Sequence, residues 1–356
     1  MRVKYTAGQK VAQYFGLGML GSGVCGGLLL YRQDERFYSS LSSSLHKCLD
    51  GETTHRLAVT ALSRGLYFRS RTAEEPELSV TVWGRHFRNP VGVAAGFDKH
   101  GEAVSGLSDI GFGFVEVGSV TPEPQEGNPK PRVFGLDSDE AIINSDGHLE
   151  VRKRLELLRA GGFNGILGVN LGKNKNSPSA AEDYVAGVRQ FSHLADYLVI
   201  NISSLQARQD LKTLIQSVLA ARRELKLSRV PPLLVEISPD LSDSELQDVA
   251  EVVTAPDCRV DGLVVTNSTV STATIRRMFS LTGGHIPIVG AGGVSSGAEA
   301  WEKVLAGASL VQIYTGLVYH GPPLVTRVRR ELRDLVTEGG YSNIAEAVGA
   351  DHRRRE

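Results

Sequence analysis

The sequence predicts an α/β fold in which eight parallel strands alternate with helices and close into a (β/α)8 barrel, the TIM barrel architecture. Short apolar runs rich in β-branched residues recur along the chain, and patterns with helical spacing separate them. Strands that are apolar on both faces and alternate with helices form parallel sheets covered on both sides. An open doubly wound sheet is the alternative. The even distribution of the units, and the lack of a glycine fingerprint between a strand and a helix, favour the barrel.

The predicted elements follow one another in a regular order. The eight strands are VGVAA (91–95), FVEVG (114–118), LGVNL (167–171), YLVINI (197–202), LLVEI (233–237), GLVVT (262–266), PIVGA (287–291) and LVQIY (310–314). Helical patterns between them include 179–194, 206–225, 242–254 and 297–306. Before the first strand, SVTVWGRHF alternates apolar and polar residues, which predicts a short β-ribbon. We assign residues 78–352 to the barrel.

An uncharged apolar segment, residues 11–31, lies near the amino terminus. Its 21 residues are close to the roughly 20 that a helix needs to cross a bilayer core. Basic residues precede the segment, and no acidic residue occurs before Asp34, which is typical of targeting sequences. A secretory signal and a buried core helix are the alternatives. We predict that residues 1–33 form a targeting segment and a single-pass membrane anchor.

Residues 34–70 show two short amphipathic patterns separated by Gly51. Leu41 and Leu45 belong to the first pattern, and Leu57 and Leu62 belong to the second. We predict a small two-helix domain beside the anchor that dips into the membrane interface and admits an apolar ligand. An ordinary helical hairpin packed on the barrel is the alternative.

The composition argues against nucleic-acid binding, a disulfide framework and a metal site. The chain has 356 residues, with 39 Lys and Arg against 40 Asp and Glu, and this balance gives no sign of nucleic-acid binding. Three scattered cysteines make a disulfide framework improbable on counting alone. The histidines are dispersed and no HExxH or paired CxxC motif occurs, so we expect no protein metal site.

Polar side chains cluster where the predicted strands end, which is where barrel enzymes carry their chemistry. After the first strand, Gly96 lets a flat ligand approach the backbone, and Lys99 places an ammonium at the barrel mouth. Asn170, Asn201 and Asn267 follow three other strands. Asparagine both donates and accepts, which suits the edge of a heterocycle. Loop capping is the alternative for each one taken separately.

The last two strands end in glycine-rich turns, GAGGVSSG and YTG. These are the usual positions of a phosphate site in such barrels, because backbone N–H groups at the start of a helix bind phosphate. A phosphate there, with a ring reaching toward Lys99, describes flavin mononucleotide (FMN). Composition alone does not distinguish a flavin from another phosphorylated ligand.

Longer stretches of the chain carry a family resemblance. They include DERFY, THRLAV, FRNPVGVAAGFDKHGEA, GFGFVEVGSVTPEPQEGNPKPRVF, LGVNLGKNK, ADYLVINISS, DGLVVTN, GGVSSG and GASLVQIYTGL. The chain resembles class 2 dihydroorotate dehydrogenases, the quinone-linked mitochondrial kind, over most of residues 34–352. The resemblance implies oxidation of dihydroorotate to orotate with bound FMN, ubiquinone as electron acceptor, a place in de novo pyrimidine synthesis, and attachment to lipid of the mitochondrial inner membrane.

The resemblance also implies roles for individual residues. The implied FMN contacts are Ala95, Gly96, Lys99, Ser119, Asn170, Asn201, Thr266, Gly293, Tyr314 and Thr315. The implied substrate contacts are Lys99, Asn144, Asn201, Asn267 and Ser268. Ser204 stands at the position of the catalytic base that removes a proton from C5 of dihydroorotate, while the hydride of C6 passes to flavin N5. A serine hydroxyl is a poor base unless a relay and an ordered loop support it.

The chain departs from the family pattern at the functional end of the barrel. Segments that the family carries are missing after Asn144, after Ser204 and at Ser271, and Glu236 replaces a lysine near the flavin. Gly135 also stands where the family has an arginine on the quinone side. An anion about 4 Å from a ring that gains negative charge opposes reduction by roughly 4 kcal/mol at an effective dielectric near 20, and protonation would relieve this.

Two hypotheses about activity follow from these departures. In the first, the chain is an active membrane-bound dihydroorotate:quinone oxidoreductase. In the second, it is a catalytically impaired relative or an incomplete gene model that keeps the barrel and FMN binding. The missing segments favour the second hypothesis for activity, whereas the overall resemblance favours the first for family function. We therefore predict a flavin spectrum with slow or absent orotate formation. No feature of the sequence supports a purely structural membrane-tethered barrel.

Overall fold

Two helices precede the barrel. The computed structural model describes residues 30–70, 75–127, 144–202, 208–238, 240–266 and 272–353, and in it α1 spans Glu35–Cys48 and α2 spans Gly51–Ser63. The carboxylates of Asp34 and Asp50 cap these helices, because each accepts a hydrogen bond from a first-turn backbone N–H. The predicted anchor lies outside the described residues except for its last four. Within the described ranges, no helix is both long and apolar enough to span a bilayer.

A small antiparallel ribbon closes the amino-terminal end of the barrel. Its strands are β1 (Val80–Val82) and β2 (Arg85–Phe87), which follow a single 3-10 turn at Pro76–Leu78. The Trp83 ring lies 5.5 Å from the Tyr197 ring, and Phe87 lies 5.6 Å from Phe114, so aromatic side chains fill the space beneath the strands. The opposite, carboxyl-terminal end is therefore the one that opens to ligands.

Eight parallel strands close into a barrel, as the sequence predicts. Each strand pairs with the next along the chain, and the last pairs with the first. The strands are β3 (Val91–Asp98), β4 (Phe114–Val120), β5 (Ile166–Leu171), β6 (Tyr197–Asn201), β7 (Leu233–Ile237), β8 (Gly262–Thr266), β9 (Ile288–Ala291) and β10 (Ala308–Ile313). Each predicted strand starts within two residues of the observed one. The prediction succeeds because continuous apolar runs are required where a strand is buried on both faces, as β4 and β9 are.

Helices cover the outside of the barrel. They are α3 (Val104–Asp109), α4 (Gly147–Ala160), α5 (Ala180–Phe191), α6 (Arg208–Glu224), α7 (Asp243–Thr254), α8 (Ala273–Leu281), α9 (Gly297–Ala306), α10 (Thr315–His320), α11 (Pro323–Glu338), α12 (Ile344–Ala347) and α13 (Ala350–Arg353). Helix α7 begins with a reciprocal capping box between Ser242 and Glu245. Each of the longer helices turns an apolar face toward the strands, and that burial supplies the main stabilisation of the fold.

The interior of the barrel is packed tightly at its lower end. A Cβ atom at Gly92 would overlap the ring of Phe114, and one at Gly168 would overlap the ring of Tyr197. Only glycine leaves room for these two rings, which fill the lower part of the barrel. The free space for a ligand therefore lies above them, toward the carboxyl ends of the strands.

The two leading helices pack beside the barrel mouth. Ser42 of α1 donates to the carbonyl oxygen of Val318 in α10 across 2.8 Å, and Glu35 pairs with Arg327 of α11 at 2.6 Å. Helix α2 packs so closely on α3 that a Cβ at Gly106 would lie 2.7 Å from the Leu62 carbonyl oxygen. These contacts place α1 and α2 next to the carboxyl ends of β10 and β3.

Candidate active site

The turn after β3 presents a lysine at the barrel mouth. Lys99 Nζ donates a hydrogen bond of 2.7 Å to Oδ1 of Asn144. Asp98 holds the turn, because its buried carboxylate accepts the backbone N–H groups of Glu102 and Ala103 at 2.9 and 2.8 Å. Burial raises the pKa of Asp98 to about 6. The ammonium is therefore held by its own turn and by a neighbouring amide.

Asn144 is itself anchored by the shortened segment that carries it. The next residue, Ser145, exchanges two backbone hydrogen bonds with Gln125, of 3.0 and 2.9 Å. The hydroxyl of Ser145 also accepts the backbone N–H of Thr121 at 3.1 Å. This pairing joins the end of β4 to the start of α4 and brings Asn144 beside Lys99.

A polar network crosses the barrel above the aromatic layer. At its centre, the buried carboxylate of Glu116 accepts hydrogen bonds from Tyr197 Oη (2.9 Å), Gln312 Nε2 (2.7 Å) and Asn170 Nδ2 (3.0 Å). Burial raises the pKa of Glu116, and the three donors oppose that rise. The network ties β4, β5, β6 and β10 together inside the barrel.

Glu236 extends the network toward the mouth. Its Oε2 accepts Asn170 Nδ2 at 2.7 Å and Asn201 Nδ2 at 3.0 Å. Burial, and then the negative charge of Glu116, raise the pKa of Glu236 to about 7. Ser119 Oγ completes the group by donating to Asn170 Oδ1 across 2.6 Å. Three of the predicted flavin contacts, at 119, 170 and 201, thus form one connected cluster.

The two glycine-rich turns after β9 and β10 lie side by side. Gly292 and Gly293 have φ of 79° and 62°, a left-handed conformation that glycine adopts without strain. A Cβ at Gly316 would lie 2.7 Å from the carbonyl oxygen of Val294, so the turns approach each other closely. Tyr314 and Thr315 begin α10 at the same place. The backbone N–H groups of both turns therefore lie in one region at the barrel rim.

An aromatic cluster connects the two-helix domain to the mouth. The His55 ring of α2 lies 5.1 Å from the Phe97 ring and 6.3 Å from the Tyr314 ring, and Phe97 and Tyr314 are 6.1 Å apart. Burial lowers the pKa of His55 and raises the pKa of Tyr314. The cluster joins α2 to the barrel rim through aromatic contacts.

The remaining predicted site residues are described only in part. Ser204, Asn267 and Ser268 lie outside the described residues, and of Thr266 only the backbone is described, at the end of β8. Ala95 and Gly96 lie near the end of β3, where a Cβ at Gly96 would meet Tyr314 alone among the described residues, at 3.9 Å. The face of Gly96 is thus open to a flat ligand.

Comparisons with known proteins decide the family. The model of the family described as dihydroorotate dehydrogenase matches residues 77–273 and 269–336. The chain belongs to the dihydroorotate dehydrogenase family. The match spans the barrel described above, including β3 with Lys99 and the glycine-rich turns after β9 and β10.

Relatives from animals and bacteria carry the quinone-linked name. The mouse protein named dihydroorotate dehydrogenase (quinone), mitochondrial, is 48% identical, with 90% of this chain and 92% of that protein covered. The protein named dihydroorotate dehydrogenase (quinone) from Rhodospirillum rubrum is 44% identical, with 86% and 92% covered. The chain thus falls in the quinone-linked class. Identity at this level over most of both chains favours the enzyme over the impaired relative.

Solved structures agree with the assignment of the fold. A ligand-free dihydroorotate dehydrogenase from Eimeria tenella has a TM-score of 0.80 and 35% identity, with 85% of this chain and 100% of that chain covered. The same enzyme in complex with ferulenol has a TM-score of 0.78 and 34% identity, with 85% and 96% covered.

The mouse alignment also bears on the missing segments. It runs over 367 positions, more than the 356 residues of this chain, so that dihydroorotate dehydrogenase has residues that this chain lacks. Such differences agree with the short connection between Asn144 and α4. Loops accept deletions more readily than packed strands do, which is why the barrel closes without them.

The sequence predictions omitted the residues beneath the site. Glu116, Tyr197 and Gln312 hold the asparagines from below, yet none was among the predicted site residues. A signal for two of them is visible, because a glutamate inside FVEVG and a glutamine inside LVQIY interrupt otherwise apolar strands. A charged or amide side chain in a buried strand requires hydrogen-bond partners.

Proposed function

We propose that this chain is a dihydroorotate:quinone oxidoreductase that uses FMN and works at the mitochondrial inner membrane. The single observation that carries the proposal is the meeting of Lys99 and Asn144 at the mouth, across 2.7 Å, beside the asparagine cluster and the paired glycine turns. These groups supply an ammonium, several amides and a backbone phosphate site at one end of one barrel.

The residues at the rim fit FMN. The open face at Gly96 accepts a planar ring, and the turns at 292–293 and 314–315 bring together the backbone N–H groups that a phosphate requires. Ala95, Ser119, Asn170 and Asn201 would line the ring on the strand side. FMN supplies an acceptor for a hydride and a donor of electrons to the quinone.

Lys99 is the proposed anchor of the substrate. Dihydroorotate carries a carboxylate, and a fixed ammonium binds a carboxylate through a charge-assisted hydrogen bond. Asn144 orients Lys99 and adds an amide for the ring edge, and Asn201, Asn267 and Ser268 are the proposed further contacts. Ser204 is the proposed base that takes a proton from C5 of the substrate.

The two-helix domain is the proposed side of quinone access. Leu57 and Leu66 are 49% and 70% exposed there. Tyr319 is 45% exposed on α10, the helix that packs against α1. Exposed apolar side chains on amphipathic helices favour insertion into a membrane interface. The ring cluster of His55, Phe97 and Tyr314 continues this apolar character to the barrel mouth.

Turnover by the full chain tests the proposal. Purified protein loaded with FMN is mixed with dihydroorotate and a soluble ubiquinone analogue, and orotate formation is followed by absorbance. We expect orotate to form, Lys99→Ala to abolish it, and Lys226→Ala, which removes an exposed lysine, to leave it unchanged. FMN-loaded, folded protein that forms no orotate would refute the proposed activity.

A further inference from the structure

The two oxygens of Glu236 have different surroundings. Oε2 accepts hydrogen bonds from two amides, Asn170 Nδ2 at 2.7 Å and Asn201 Nδ2 at 3.0 Å. Oε1 has no hydrogen-bond partner among the residues that the structure describes, and the residue is partly exposed one position before the end of β7. The asparagines of β5 and β6 therefore hold the carboxyl group through Oε2, near the carboxyl end of β7.

This arrangement decides where a proton sits when Glu236 is neutral. A carboxyl oxygen has two acceptor sites, and the two amide donors occupy both of them at Oε2. The proton of the neutral acid is thus carried by Oε1. Burial and the charge of Glu116 bring the pKa of Glu236 to about 7, so the neutral acid is well populated near neutral pH.

The groups that face Glu236 do not offer a competing cation. From β4 comes Glu116, and from α5 comes Tyr184, whose hydroxyl donates to the carbonyl oxygen of Asn201 and whose pKa burial raises. The amides of β5 and β6 are neutral, and Val264 lies opposite Glu236 on β8. Among the described residues, the carboxyl group therefore has amides, a phenol and a second carboxyl as its polar surroundings.

We propose that Glu236 is a ligand-binding residue that donates its Oε1 proton in a hydrogen bond to an electron-rich oxygen or nitrogen of the flavin ring. The inference rests on the proposed function, since it requires FMN at the mouth. Once ionised, the same carboxyl only accepts hydrogen bonds and carries a negative charge toward the ring. FMN affinity should therefore fall as pH rises, and more steeply for the reduced flavin, which gains negative charge.

A purely structural role for Glu236 makes a different prediction. If the carboxyl only holds the two asparagines, its ionised form accepts their N–H groups at least as well as its neutral form does. Ligand affinity would then be independent of the protonation of Glu236. The pH dependence of FMN binding separates the two roles without any measurement of turnover.

The experiment is a titration of FMN into the full apo chain in detergent, followed by quenching of flavin fluorescence at pH 6 and at pH 8.5. The wild type is compared with Glu236→Gln and with Glu338→Gln, which removes an exposed carboxylate on α11. Glutamine imitates the neutral acid, because its Oε1 can accept both asparagines while its Nε2 donates to the ring. Ionisation of the FMN phosphate occurs with all three proteins and cancels in the comparison.

Relative to Glu236→Gln at the same pH, we expect the FMN affinity of the wild type to be about tenfold lower at pH 8.5 than at pH 6, which corresponds to the loss of one good hydrogen bond. Glu338→Gln should behave like the wild type, whereas the affinity of Glu236→Gln should change with pH only as far as the FMN phosphate dictates. Infrared spectra of the FMN complex should also show a carbonyl band of a protonated carboxylic acid that Glu236→Gln lacks.

Two failures are distinguishable. If the ratio of wild-type affinity to Glu236→Gln affinity is the same at both pH values, the role of Glu236 is refuted and the proposed function stands. If the wild type binds no FMN at either pH, the proposed function fails and this inference fails with it.

Discussion

The hydroxyl of Ser119 donates to Oδ1 of Asn170 across 2.6 Å, and this bond sets the direction of a fully buried amide. With Oδ1 held by Ser119, Nδ2 points to the carboxyl groups of Glu116 and Glu236. The orientation of one amide thus links the end of β4 to the interior of the barrel and to β7.

We expect Ser119→Ala to lower the free energy of unfolding by about 1–3 kcal/mol, because it leaves the buried Oδ1 of Asn170 without its donor. Urea denaturation followed by circular dichroism measures the change. Ser44→Ala serves as the control, since that hydroxyl is exposed and bonds only to its own helix. Equal stability of both variants would contradict the assigned role of the Ser119 bond.

Lys99 and Asn144 should contribute unequally to orotate binding. We expect Lys99→Ala to weaken it about 10- to 100-fold through loss of a charge-assisted hydrogen bond, as measured by calorimetry. Asn144→Ala should weaken it about tenfold, because the lysine keeps its charge and loses its orienting partner. Lys226→Ala is the matched control, and a loss of affinity in that variant equal to the loss in Lys99→Ala would exclude a specific effect.

The acidic interior predicts how stability depends on pH. The carboxyl of Glu236 has a pKa of about 7 in the folded chain against an ordinary value of 4.5, so the folded state binds its proton more tightly than the unfolded state does. This contribution to stability is complete below about pH 4.5 and is lost as pH rises through about 7.

Comparison of unfolding free energies at pH 5 and pH 8 tests this dependence in the apo protein. We expect the wild type to lose on the order of 2 kcal/mol more than Glu236→Gln over this range, a figure reduced for the partial exposure of the side chain. Identical pH profiles for the two proteins would show that the pKa of Glu236 is the same in the folded and unfolded states.

A buried ion pair joins the chain before the ribbon to the last long helix. Arg329 Nε and Nη2 donate to Oε2 of Glu75 at 2.9 and 2.7 Å, and both residues are buried. We expect Glu75→Ala to destabilise the fold by about 3–5 kcal/mol, because it leaves a buried guanidinium unpaired. Asp334→Ala, which breaks the exposed pair with Arg333, should change stability by less than about 1 kcal/mol in the same denaturation assay.

A substitution of His55 tests the proposed side of quinone access. Its ring lies against the rings of Phe97 and Tyr314, on the side of the barrel mouth that faces α2. We expect His55→Ala to raise the KM for a ubiquinone analogue several-fold and to leave the Kd for orotate unchanged. His285→Ala, an exposed substitution after α8, is the control. A change in orotate affinity with an unchanged quinone KM would place the quinone elsewhere.

Much of the fold follows from the order of residues along the chain. The eight strands are recoverable because each is a continuous apolar run, and burial on both faces requires that pattern wherever parallel strands are covered by helices. Gly96, Lys99 and the glycine turns are recoverable for a related reason, since ligand-binding residues of such barrels follow the strands directly.

The partners of each side chain were decided by the tertiary structure alone. Nothing in the spacing of Glu116, Asn170 and Glu236 states that one amide bridges two carboxyl groups, because the three residues lie on different strands and meet only when the barrel closes. The raised pKa of Glu236 has the same origin, since it depends on burial and on a charge 120 positions earlier in the chain. Local sequence therefore determined which helices and strands form and which polar residues follow the strand ends. Closure of the barrel determined which of those groups touch and in which protonation state they meet a ligand.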